Sequence, residues 1–349
     1  MRIATRLMIA SSLLLIGISS PAIADATDDS LFASHEPLEI RLEAPFDRII
    51  EERPEDEDIP GLLRYTESDG NIVELDVGIR TRGKFRRREE VCRFPPLRLN
   101  FRKSQTDDSV FDKQDRLKLV THCNSASASY EQLVLAEYLA YRILNSLTDV
   151  SYRVRLIRMT YAYTDTDRES VKYAFLIEHA DRMAKRVDKP HVTIEKARIA
   201  DLEPEYTNLT SVFQFLIGNT DFSPIAAATG EDCCHNHTLF GKEGEVYYSV
   251  PYDFDQSGIV DAPYAGPNPR FRMRSVRQRL YRGRCRNNGL LPATLQRFRE
   301  RRETIEALID AQPELSTKLR GKTRSYVTSF YKIIDNPKRV ERLLVKKCV

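Results

Sequence analysis

SVFQFLIGNTDFS (residues 211–223), CCHNHTLF (233–240) and VYYSVPYDFDQSG (246–258) together decide how this chain reads. The apolar run at 211–217 has the character of a helix and ends in Asn219-Thr220-Asp221, residue types that favour turns. A short strand carries Asn236 near its start. A second strand delivers Asp253-Phe254-Asp255 into a turn. Taken singly, each polar residue has a plain structural role, as a helix end, a loop end or a strand boundary. Their order along the chain carries the functional reading.

Upstream, the sequence alternates apolar and polar residues, the pattern of half-buried strands. This holds for LEIRL (38–42), IVELDVGI (72–79), LRLNF (97–101) and LKLV (117–120). Residues 51–58 are mostly acidic and read as a solvated loop. Residues 80–88, RTRGKFRRR, form a basic turn around Gly83. A largely buried helix is predicted over 130–147, and strands follow at 154–159 and 173–177, the second leaving through Glu178. Helices are predicted over 292–311, 314–334 and 336–346, separated by Pro313 and Pro337. The element order is that of an α+β protein with a bilobal kinase-like fold. A β-rich N-lobe with one buried helix would span 25–180, and a mixed, mostly helical C-lobe 181–349.

The first residues have the pattern of a secretory signal. Arg2 and Arg6 precede a short apolar run at 7–18, and Ala22-Ile23-Ala24 has the form of a cleavage site. The apolar run is too short to span a bilayer comfortably. The chain is therefore expected to be exported, periplasmic or extracellular after cleavage near Ala24, with no transmembrane segment in the mature form. Lys+Arg 54 against Asp+Glu 51 is close to balance, which argues against nucleic acid as a partner. Six cysteines in an exported chain read first as disulfides. Cys92 can pair with Cys123, while Cys233, Cys234, Cys285 and Cys348 allow three pairings. Cys233-Cys234-His235-Asn236-His237 has zinc-binding residue types but lacks the usual ligand spacing.

These pieces resemble the CotH family of secreted and spore-coat kinase-like proteins. The likeness runs over about residues 70–260. It is carried by Arg82-Gly83, Pro96-Leu97-Arg98-Leu99, the helix at 130–147, Phe175-Leu176-Ile177-Glu178, Asp221, Asn236 and Asp253-Phe254-Asp255. Lys84-Phe85 after the Arg-Gly pair and Cys233-Cys234 before the Asn depart from the family pattern. The resemblance implies an exported kinase that uses ATP and magnesium on an unknown acceptor, a protein, a glycan or a small molecule. The alternative is a catalytically inactive binding or envelope-scaffold protein.

Phosphoryl transfer is mostly positioning and neutralisation of negative charge. Magnesium takes hard oxygen ligands, one or two carboxylates being enough beside an amide oxygen and waters. Asp253 and Asn236 are the expected metal ligands, with Asp255 assisting or capping the turn. Asp221 would orient or deprotonate the acceptor hydroxyl. Arg82, Lys84, Arg98 and Lys118 are candidate phosphate partners. By analogy with kinases, Lys118 would pair with a helix glutamate, Glu137 before Glu131, and Glu178 would meet the adenine. No G-x-G-x-x-G occurs, so a standard protein kinase is not expected. Eight arginines between Arg270 and Arg286 would grip an acidic or phosphorylated acceptor or an anionic surface. Otherwise they form a solvated face paired with the acidic loop at 51–58.

Overall fold

The structure, a computed structural model, describes residues 30–349; the signal read at 1–24 lies outside them. A short helix, α1 (Ser30–Ala33), leads into β1 (Leu38–Ala44), α2 (Phe46–Glu52), β2 (Ile59–Thr66), β3 (Ile72–Thr81) and β4 (Leu97–Phe101). Then come α3 (Lys103–Thr106), β5 (Arg116–Val120), the long α4 (Ala128–Leu147), β6 (Val154–Tyr163) and β7 (Glu169–Ile177). The remainder holds α5 (Ala180–Arg186), β8 (His191–Val192), α6 (Pro204–Ile217), β9 (His237–Phe240) and β10 (Tyr248–Pro251). It ends with α7 (Leu291–Glu300), α8 (Arg302–Asp310), α9 (Thr317–Ile334) and α10 (Pro337–Leu343).

The α+β class holds, but the bilobal kinase-like fold does not. Strands β1 to β7 close into a seven-stranded barrel in the order β1-β2-β3-β4-β5-β7-β6. Closure comes from parallel pairing of β1 with β6, from Leu38 opposite Ile157 to Ala44 opposite Tyr163. An open sheet would leave two edges of unpaired backbone, and closing it removes both. The barrel holds its own core, with Leu42, Leu63, Ile79, Leu99, Leu119, Met159 and Leu176 fully shielded.

The β6–β7 pair is covered on both sides. Ile157, Ala174 and Leu176 face the barrel core, whereas Leu156, Phe175 and Ile177 join a second core with α4, α6 and the C-terminal helices. Helix α4 is mostly buried from Val134 to Leu147 and lies against β6 and β7. A small sheet in the order β10-β9-β8 packs beside α6. The predicted helix over 292–311 is split at Arg301 into α7 and α8. Among the described residues, no helix is long and apolar enough to cross a membrane.

The cysteines pair as Cys92–Cys123, Cys233–Cys234 and Cys285–Cys348. This pairing selects one of the three open connectivities and removes the thiolates a zinc site needs. His237 is enclosed instead, with Nδ1 2.9 Å from Ser249 Oγ.

Candidate functional site

Helix α6 ends at Gly218, which takes a left-handed conformation with φ of 68°. The chain then turns tightly, and the Asp221 N–H donates to Asn219 Oδ1 at 2.9 Å. After β10, the side chain of Phe254 is fully buried against Tyr141 and Phe213, with ring centroids 4.5 and 5.3 Å away. That anchor holds the turn, leaving Asp253 and Asp255 on either side of it. The turn closes back on the end of α6 through Gly258 N–H to Gly218 O and Ile259 N–H to Ile217 O. One core cluster therefore positions both acidic segments.

Asp221 and Asn236 are in contact, and Asp253 follows the residue whose backbone is bonded to Asn236. Asn236 Nδ2 donates to Asp221 O at 2.7 Å and to Asp221 Oδ2 at 3.1 Å. The backbone carbonyl of Asn236 accepts from the Tyr252 N–H at 2.9 Å, one residue before Asp253. The Asp253 N–H donates to Tyr141 Oη at 2.9 Å. Asn236 and Asp253 both have positive φ, 54° and 60°. Non-glycine residues in this region are uncommon, and Asn and Asp tolerate it best. His235 lies 2.9 Å from Asp221 Oδ1, and this bond raises the imidazole pKa, burial opposing it.

On the inner side of the turn, Arg86 is enclosed by three carboxylates. It lies 3.0 Å from Asp255, 3.4 Å from Glu137 and 3.4 Å from Asp253. Burial works against its charge, but Asp255 and Glu137 overturn that and push its pKa well up. Burial raises the Glu137 carboxyl to about 7, with Arg86 pulling the other way and Asp253 adding to the rise. Burial also drives the Asp255 carboxyl well up. Glu137 thus pairs with Arg86 and not with Lys118.

On the outer side stand cations with no such partner. Leu117 and Leu119 point into the barrel, so Lys118 points out of it. Arg98 sits opposite Lys118 on β4, and Arg80 opposite Arg98 on β3. Like charges directly across a sheet repel. Arg80 is relieved by Asp58 at 2.5 Å. Lys118 has only the Tyr252 ring, 4.6 Å from its ammonium, and no carboxylate within ion-pair distance among the described residues. Burial, then Arg82, pushes Lys118 down to about 8. The Arg82 pKa is likewise lowered, first by burial and then by Arg86, and its buried Nε has no hydrogen-bond partner. For both cations the charge of Asp253 opposes that lowering.

Two other expected residues lie in different surroundings. Lys84 is exposed and forms an ion pair with Glu231. Glu178 is sealed in, gripped by Arg186 Nε at 2.9 Å and Nη2 at 2.8 Å and by the Arg153 N–H at 2.9 Å. Its carboxylate is committed to holding α5 against the end of β7.

No described cluster of three His, Cys, Asp or Glu side chains forms a ready-made metal cage. The oxygen donors that this stretch of backbone offers are the Asp253 carboxylate and the Asn236 amide oxygen. Hard oxygens in that small number suit magnesium, which takes much of its coordination from water and phosphate. No protein-family model and no curated protein matches the chain.

Arg86, His235 and Tyr141 complete the site, and sequence reading assigned none of them a role in it. Arg86 was visible only as one arginine among several in the basic turn. In the sequence His235 is one of the zinc-binding residue types beside two cysteines, and Tyr141 is a buried helix position.

Proposed function

We propose that this chain is an exported phosphotransferase, moving the terminal phosphate of ATP, with magnesium, onto a hydroxyl acceptor. The observation that carries the reading is the contact chain Asp221–Asn236–Tyr252–Asp253, faced by Arg82 and Lys118 without carboxylate partners. The likeness to secreted CotH proteins supports it at Asp221, Asn236 and Asp253. The reading rests on the site and not on a kinase fold, which the closed barrel excludes.

In this reading Asp221 orients the acceptor hydroxyl and takes its proton as the new O–P bond forms. The bond from the terminal phosphorus to the bridging oxygen breaks, and ADP leaves with the electron pair. His235 fixes the Asp221 carboxylate. Arg82 and Lys118 offset the phosphate charge, and Arg86 holds the Asp-Phe-Asp turn to α4 through Glu137. Asn236 and Asp253 would hold magnesium, which when bound neutralises phosphate charge.

A second reading, a catalytically silent anion-binding module, draws on one observation. Arg86 already supplies a counter-charge to Glu137, Asp253 and Asp255. Thermal unfolding of the mature protein separates the two. The phosphotransferase reading expects ATP with magnesium to raise Tm by about 2–4 °C near saturation, an increment absent in Asp253→Ala. Labelled ATP should turn over about 10²- to 10⁴-fold more slowly in Asp221→Ala, with binding kept. A shift indifferent to magnesium favours the silent module, and no shift at all rejects both.

A further inference from the structure

We propose that the arginine-bearing segment after the Asp-Phe-Asp turn is a docking surface for an acidic polypeptide, held against the Asp221 loop so that a hydroxyl of that polypeptide reaches the site. The inference rests on the phosphotransferase reading for its chemistry and adds the class of acceptor.

The segment from Ala262 to Arg284 forms no helix or strand, yet it is pinned. Asn268 Nδ2 donates to Thr220 O at 3.1 Å. Arg282 Nη1 donates to Thr220 O at 3.0 Å and to Phe222 O at 2.6 Å. Its guanidinium also stacks on Phe222 and Phe271, 4.4 and 4.8 Å from the ring centroids. The segment therefore lies directly against the two neighbours of Asp221. Arg277 pairs with Asp261 at 3.0 Å, and Arg279 donates to the carbonyls of Leu216 and Tyr326. These arginines are used internally.

Arg270, Arg272 and Arg274 are not. All three are exposed, and none has an ion pair among the described residues. Their backbone is nevertheless set, with the Arg270 N–H on Asn268 Oδ1 and the Arg274 N–H on Gln278 Oε1, each at 3.0 Å. The acidic loop at 51–58, the counter-charge suggested by the sequence, is engaged elsewhere. Asp58 pairs with Arg80, Glu55 with Arg87 and Glu57 with Arg48. Positive charge consequently accumulates beside Asp221. Arg282 is pushed down to about 10, first by burial and then by Arg284 and Arg270, Asp221 opposing. Guanidinium forks match carboxylates and phosphates in two-point contacts. A membrane surface fits less well, because of the large exposed apolar side chains only Phe85, packed on Tyr264, borders this segment, while Ile72, Val171, Val246 and Val349 lie on other parts of the chain.

The test is fluorescence anisotropy on the full mature chain without nucleotide, using a labelled Glu/Ser peptide and its Lys/Ser counterpart. The Glu/Ser peptide should bind, more weakly as salt rises, and the Lys/Ser peptide should not. The triple variant R270A/R272A/R274A should bind about tenfold more weakly. The triple lysine variant should keep most of the affinity, and Arg158→Ala, on the barrel, should change nothing. If the triple variant unfolds, single Arg272→Glu serves in its place. Equal binding of both peptides, no binding of the Glu/Ser peptide, or wild-type affinity in the variant would overturn the proposal. So would arginine-dependent binding to phosphatidylglycerol vesicles in preference to the peptide. Since no nucleotide is present, such a failure leaves the phosphotransferase reading to its own thermal-shift test.

Discussion

Lys118 shows how far a single residue can be read from sequence. Alternation in LKLV places it on the outer face of a strand, but its neighbours come from β4, β7, the residue after β3 and the turn after β10. Burial and Arg82 lower its pKa from 10.5 to about 8. Between those two values the unfolded chain binds more protons than the folded one, so the stability linked to this group rises with pH across that window. Lys118→Met should therefore be more stable at neutral pH, by about 1–3 kcal/mol, measured by urea denaturation. Phosphate binding should run the other way, because it needs the ammonium. Calorimetry of ATP with magnesium should find wild-type affinity falling about tenfold from pH 7 to 9.5. Lys118→Met should bind weakly with no such slope, and an unchanged slope would remove Lys118 from the site. In the sequence Asp221 and Asp253 stand out because each follows an apolar run, and Asn236 because it precedes a short strand. Arg86 does not, since choosing one arginine among its neighbours requires knowing which carboxylates face it.

At the level of elements, α6 is the pivot. The apolar run predicts a helix from 211, but it starts at Pro204, with the Glu203 carboxylate capping the N–H groups of Glu205 and Tyr206. The polar residues Thr207, Asn208 and Thr210 disguise the first turns because all three are buried, Asn208 and Thr210 with side-chain hydrogen bonds inside the fold. Strand β2 escaped notice for a related reason. Pro60 and Gly61 argue against a strand locally, yet a side chain at Gly61 would come within 2.6 Å of Ile79 Cδ1 and 2.9 Å of Glu43 O. Gly218 carries the clearest element-scale prediction. Its φ is left-handed, and a Cβ there would lie 2.0 Å from Tyr326 Oη. Gly218→Ala should lower stability by about 2–4 kcal/mol in urea denaturation. It should also slow phosphoryl transfer, because Asp221 is three residues on. A neutral result would mean the cap and Tyr326 yield freely.

For the whole molecule, closure and cross-linking dominate. Cys285–Cys348 spans 63 residues and Cys92–Cys123 spans 31, whereas Cys233–Cys234 joins neighbours and encloses no loop. If loop entropy governs, replacing Cys285 and Cys348 by Ala should cost about 2–4 kcal/mol. Replacing Cys233 and Cys234 should cost less than half as much, and equal losses in denaturant titrations would overturn that account. The barrel is a question of the same scale, since β1 meets β6 only after more than a hundred intervening residues. The sequence by itself determined the alternating strands, the buried α4, the supply of cysteines and the polar residues at element ends, because local periodicity and turn chemistry set these. Only the tertiary structure decided that the sheet closes, which cysteines pair, that Glu137 takes Arg86, that Glu178 is sealed by Arg186, and that exposed Arg270, Arg272 and Arg274 have no ion pair among the described residues. Each of those depends on which distant surfaces share a boundary, and no short window of sequence contains both sides.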